Sequence, residues 1–175
     1  MKLNKLMMAV AFALGSASVV NAADQSHGTV SFTGAVIDAP CSIAPDSIDQ
    51  VVELGQVSNV ALQADGGTGS SKPQNFEIRL ESCALTTANT VTTTFTGAAG
   101  KGARLGVSGE AKGASIVITD SGGNPIELGK PVAAQQIQNG NNTLQFAVYM
   151  QGDGQADEIV PGDFKGIVDF SLAYQ

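Results

Sequence analysis

From Gly28 to Val36 the chain alternates. Gly28, Val30, Phe32, Gly34 and Val36 fall on one face of an extended segment, and Thr29, Ser31, Thr33 and Ala35 on the other. Period-two alternation predicts a strand with one buried and one wet face, and at ~3.3 Å per residue the stretch spans about 30 Å. A second such pattern closes the chain. There Phe164, Gly166, Val168, Phe170, Leu172 and Tyr174 oppose Lys165, Ile167, Asp169, Ser171 and Ala173. Short apolar runs separated by turn signals predict strands at 29–37, 50–54, 75–80, 91–95, 115–119, 143–150 and 164–174. The turn signals include Asp65-Gly66-Gly67, Ser121-Gly122-Gly123-Asn124-Pro125, Asn139-Gly140-Asn141 and Gly152-Asp153-Gly154. Only residues 57–64 and 132–138 suit short helical turns. This spacing predicts one all-β domain, an antiparallel sandwich of the immunoglobulin-like kind.

The first residues change the compartment. Lys2 and Lys5 precede an apolar run from Leu6 to Val20, and Val20-Asn21-Ala22 supplies the residues of a cleavage site. This predicts a signal peptide over 1–22, with the cut after Ala22. Its loss removes two of nine basic residues, so the mature chain carries 7 against 16 acidic ones, a net charge of −9. An acidic surface without a concentrated positive face argues against nucleic acid. In an exported chain Cys41 and Cys83 most simply form one disulfide, worth about 4 kcal/mol on the chain-entropy model.

Candidate chemistry is sparse. His27 is the single histidine, too little for zinc, which needs about four ligands. It falls in the N-terminal extension with no titratable partner near it, which predicts a solvent-exposed side chain rather than the base of a Ser-His-Asp set. We expect no catalytic residue, metal or cofactor. Asp157-Glu158 reads as a solvated loop, Asn141-Asn142-Thr143 as a chance glycosylation motif, and no phosphate loop is present.

The order of features around these strands is that of a known family. The run from Gly28 through Asp38-Ala39-Pro40-Cys41-Ser42-Ile43, Cys83 after Leu80-Glu81-Ser82, Gly162 as the fourteenth residue from the end, and the penultimate Tyr174 together resemble major pilins of the chaperone–usher pathway. The likeness is greatest to rod subunits of P-like and mannose-resistant fimbriae and covers essentially the whole mature chain. The resemblance implies an immunoglobulin-like sandwich lacking its last strand. A periplasmic chaperone fills the gap first. At the outer-membrane usher, the N-terminal strand of the next identical subunit then replaces the chaperone, a form of β-augmentation known for pilins.

The resemblance assigns roles. Residues 23–37 would be the donor extension and 38–175 the pilin domain, with Gly28, Val30, Phe32, Gly34 and Val36 directed into a neighbour's groove. Gly28 holds the outermost position, where many relatives carry a larger residue. Burying Val30, Phe32 and Val36 at ~1.5–3 kcal/mol each gives roughly 5–9 kcal/mol. The acceptor groove and chaperone contact would comprise Gly162, Phe164, Val168, Phe170, Leu172, Tyr174 and the carboxylate of Gln175. The expected partners are identical subunits, chaperone, usher and tip or adaptor pilins, and the expected location is a surface fimbrium reached through the periplasm. The alternatives are a minor adaptor or adhesive pilin of the same pathway, or an unrelated secreted sandwich hydrolase. The single domain disfavours a tip adhesin, and the absence of a catalytic cluster disfavours the hydrolase.

Overall fold

The computed structural model describes residues 28–154 and 158–175. The expected leader, His27 and Asp157 lie outside the described residues. The chain divides into two compact units, residues 1–36 and 37–175. In the first, the described residues 28–36 belong to no strand and are exposed. Their alternation stands, but a strand needs a hydrogen-bonded neighbour, and none is present among the described residues.

The second unit is built from strands. In chain order they are β1 (Ser42–Ile43), β2 (Gln74–Cys83), β3 (Thr90–Gly97), β4 (Ser108–Gly109), β5 (Ala114–Thr119), β6 (Gln135–Gln136), β7 (Gly140–Gly152), β8 (Phe164–Lys165) and β9 (Val168–Tyr174). Helices α1 (Pro45–Ile48) and α2 (Asn59–Gly67) lie between β1 and β2. One sheet has the order β1-β2-β7-β5, a second β6-β3-β9, and β4 pairs with β8 alone. Every pairing is antiparallel.

The core lies between the two larger sheets. From the first come Ile78, Leu80, Leu144, Phe146, Val148 and Met150, and from β3 come Val91 and Phe95. Phe146 stacks on Phe76 at 5.5 Å between ring centroids and meets Phe95 edge-on at 5.1 Å, arrangements that add to plain area burial. Cys41 and Cys83 form the expected disulfide, with Cα atoms 4.1 Å apart, and both are buried. They tie the residues before β1 to the end of β2. Next to them α1 is pinned: Ser47 is buried and its Oγ accepts the Arg79 N–H at 3.1 Å. The Arg79 guanidinium also bonds the Asp46 carboxylate and holds its pKa below the ordinary range.

Besides the strand expected at 29–37, four expectations need correction. Residues 50–54 form no strand, because they have no strand partner, although their side chains alternate in exposure. Residues 132–138 contain β6 rather than a helical turn, since Gln135 and Gln136 pair with Val91 and Thr90. The helical turn expected at 57–64 is shifted to α2, which breaks at Ala64–Gly66 where Asp65 and Gly66 take positive φ of 52° and 72°. The single strand expected over 164–174 is two strands, because β8 pairs with β4 while β9 pairs with β3.

Candidate functional site

The C-terminal strand β9 is the edge of its sheet. Its register on β3 sets Val91 opposite Tyr174, Thr93 opposite Leu172, Phe95 opposite Phe170 and Gly97 opposite Val168. These facing residues share one side of the sheet, yet they differ in cover. Val91, Thr93 and Phe95 are each 1% exposed. Val168, Phe170, Leu172 and Tyr174 are only half-buried, while their outward neighbours Asp169, Ser171 and Ala173 are exposed. The core is closed over β3 and open over β9.

The backbone of β9 is open along the same line. Gln175 donates its N–H to Thr90 O at 2.9 Å and accepts the Thr90 N–H at 3.0 Å, so these two form a hydrogen-bonded pair. Bonded and non-bonded pairs alternate in an antiparallel ladder. Ala173, Ser171 and Asp169 therefore bond to β3, and the N–H and C=O groups of Tyr174, Leu172, Phe170 and Val168 point away from it. No strand flanks β9 on that side among the described residues. The four residues with half-covered apolar side chains are thus also the four with unpaired backbone groups.

A second unpaired segment borders the core. In residues 51–57, Val52, Leu54 and Val57 are half-buried against the core, whereas Val51, Glu53, Gly55 and Gln56 are exposed. None of their backbone groups bonds another backbone group among the described residues. The alternation of 50–54 was visible in the sequence, but this role was not.

The remaining predicted residues fall in several places. Phe164 is half-buried in β8 opposite Gly109. Gly162 lies in the turn before β8, where an added Cβ would sit 2.6 Å from Glu110 Cβ and 2.9 Å from Ala111 N. Its lack of a side chain serves close packing there. Gln175 O accepts from Asn89 N–H at 2.8 Å and Thr90 Oγ1 at 3.1 Å besides the ladder bond, which anchors the end of β9. Burial raises the Tyr174 phenol above its ordinary pKa. Val30 and Phe32 are 75% and 91% exposed, and Val36 is exposed as well. Around Gly28 and Gly34 nothing lies within 4 Å of an added Cβ.

Sequence reasoning missed a polar cluster. The buried Ser115 Oγ bonds Asp153 Oδ1 at 2.8 Å and accepts the Lys101 N–H at 3.1 Å. Arg104 Nη1 donates to Gly152 O at 3.3 Å and lies 3.6 Å from Asp153 Oδ1. The cluster fastens the loop between β3 and β4 to the end of the first sheet. The serine inside Ala114-Ser115-Ile116-Val117-Ile118 was its one sequence signal. No group of three or more His, Cys, Asp or Glu side chains able to hold a metal occurs among the described residues.

Comparison with known proteins agrees with this architecture. The Fimbria A protein of Serratia marcescens is 56% identical over 177 aligned residues, and the alignment covers 100% of both chains. The major MR/P fimbria protein of Proteus mirabilis (strain HI4320) is 50% identical over 179, again with 100% of both covered. The crystal structure of the P pilus rod subunit PapA superposes with a TM-score of 0.70 at 28% identity, covering 78% of this chain and 100% of that one. A chaperone–usher pilus structure concerned with rod uncoiling gives a TM-score of 0.76 at 32% identity, over 86% and 97%. A family model for fimbrial proteins matches residues 30–175, and the chain belongs to that family.

Proposed function

We propose that this chain is a structural rod subunit of a surface fimbria that polymerises by donor-strand exchange. Residues 28–36 of one copy complete the open edge of β9 in the next. The observation that carries this reading is the coincidence on Val168, Phe170, Leu172 and Tyr174 of half-covered side chains and outward backbone groups. One strand laid along β9 with an alternating apolar face answers both needs. Val30, Phe32 and Val36 bring that face.

An apolar strand edge left open is an aggregation hazard, so the subunit needs cover before it assembles. A periplasmic chaperone supplies it by the same pairing, with Gln175 at the end of the contact, and the outer-membrane usher exchanges chaperone for subunit. In this reading residues 1–22 are the export leader, 23–37 the donor extension and 38–175 the pilin domain. Neither an adaptor role nor a catalytic one is favoured by any residue described above.

The test is deletion of residues 23–37 with co-expression of the chaperone. The expected product is a soluble chaperone–subunit complex that terminates fibres. Normal rods built from the truncated chain would refute the reading.

A further inference from the structure

The row of half-buried side chains on β9 stops at Val168. One step back along the same face is Gly166, which has no side chain, and its place is taken from outside. An added Cβ at Gly166 would lie 3.2 Å from Leu105 Cδ2 and 2.5 Å from Ile116 Cδ1. Across the sheet, a Cβ at Gly97, the partner of Val168, would lie 2.7 Å from Leu105 Cδ1. The two methyl groups of Leu105 thus span the end of the β3–β9 pair, over two positions that carry no side chain of their own. Leu105 is 3% exposed.

Its backbone is held too. Leu105 N–H donates to Ile116 O at 3.0 Å and Ile116 N–H to Leu105 O at 2.8 Å. The loop that carries it is fastened through Arg104 and Lys101 to Gly152 and Ser115. This side chain is a fixed plug rather than a mobile one.

We propose that Leu105 is the end wall of the acceptor groove and sets the register of the entering strand. The inference rests on the donor-strand reading above. A strand lying along β9 finds room for its side chains beside Val168, Phe170, Leu172 and Tyr174, at intervals of about 6.6 Å. Beside Gly166 the space is already taken by Ile116 Cδ1 and by Leu105, whose other methyl also covers Gly97. The donor face offers five alternate positions from Gly28 to Val36, so its advance in that direction is limited by contact with this wall. At the other end the ladder simply runs out at Gln175. Leu105 is therefore a specificity-determining residue for strand length and register.

The test uses the mature chain held in its chaperone complex and synthetic peptides covering residues 23–40. One peptide is unaltered, one carries Ser26→Val and one carries Asp38→Val. Each substitution extends the apolar alternation by one position, at opposite ends. Capture of each peptide is measured on the wild-type subunit and on Leu105→Ala. We expect one of the two substitutions to tighten capture by roughly tenfold to a hundredfold, the yield of one buried valine, on Leu105→Ala alone. Equal effects of both substitutions on the two subunits would overturn the proposal. If Leu105→Ala does not fold, Leu105→Val gives the same comparison with a smaller gain, about threefold. Failure of the unaltered peptide to be captured by the wild type would instead count against donor-strand exchange itself.

Discussion

Phe32 separates assembly from folding. Its ring is 91% exposed in the chain, so truncating it removes almost no contact from the subunit that carries it. In a neighbour's groove the same ring would go from water into the core, a transfer worth ~1.5–3 kcal/mol for a large apolar side chain. Phe32→Ala should thus weaken one subunit joint by roughly tenfold to over a hundredfold and leave the subunit's own stability within about 0.5 kcal/mol, as for other exposed substitutions. Two measurements check the split. Capture of a residue 23–40 peptide by the chaperone-held subunit, with and without Phe32→Ala, reads the joint. Urea unfolding of dilute monomeric chain reads the fold. A variant with a lowered urea midpoint and unchanged capture would refute the reasoning, because it would place the ring in its own subunit.

The other expectations concern the acceptor. Thr93 is 1% exposed and its hydroxyl has no hydrogen-bond partner among the described residues. Thr93→Val keeps the shape and removes the orphan, so it should raise stability by about 1 kcal/mol, and a fall in the urea midpoint would contradict this. Replacing Cys41 and Cys83 by Ser should cost about 4 kcal/mol for a closed loop of this length, read as a lower urea midpoint that reductant no longer changes. Burial holds the Tyr174 phenol above its ordinary value of 10.0. The folded pKa then exceeds the unfolded one, so this contribution is whole below about pH 10 and is lost as pH rises through the folded value. Tyr174→Phe should flatten the alkaline end of the stability curve, and an unchanged curve would show that the phenol is not responsible.

Much of the fold could be read from alternation alone. Residues 75–80, 91–95 and 143–150 are strands because their period-two apolar face lies on the core, whereas 115–119, around the continuous apolar run Ile116-Val117-Ile118, is buried on both faces. The same signal misleads at 50–54, where the side chains alternate but no strand lies alongside. It over-extends at 164–174, where Gly166 and Ile167 give way as the chain changes partner from β4 to β3. A pattern of side chains reports a face. It does not report a neighbour, and an unfinished sheet is defined by the neighbour it lacks. Leu105 was illegible for a related reason, since one leucine between Arg104 and Gly106 carries no period. Its role comes from two glycines, Gly97 and Gly166, distant in sequence and adjacent in space.

The open edge of β9 and the exposed segment 28–36 are two halves of one imbalance. A protein can shield an edge with a charge, a bulge or a covering loop, and this chain does so elsewhere. Along β5 the free side is occupied by Leu105, which pairs with Ile116, and by Ile126, whose N–H bonds Ile118 O at 2.8 Å. Along β3 it is occupied by Gly129 and Val132, bonded to Phe95 O and Thr93 O. Among the strands of the two larger sheets, β9 carries its apolar side chains and free backbone groups to the rim without such cover among the described residues. The three large apolar side chains that would match it are exposed in residues 28–36. Left separate, both surfaces favour indiscriminate association. Paired head to tail between copies, as proposed, each joint would bury one donor and one acceptor and leave one of each at the ends of the fibre. A repeating contact that does not close on itself yields an open filament, so on the donor-strand reading the polymer would follow from the same open edge of β9 that leaves the single subunit incomplete.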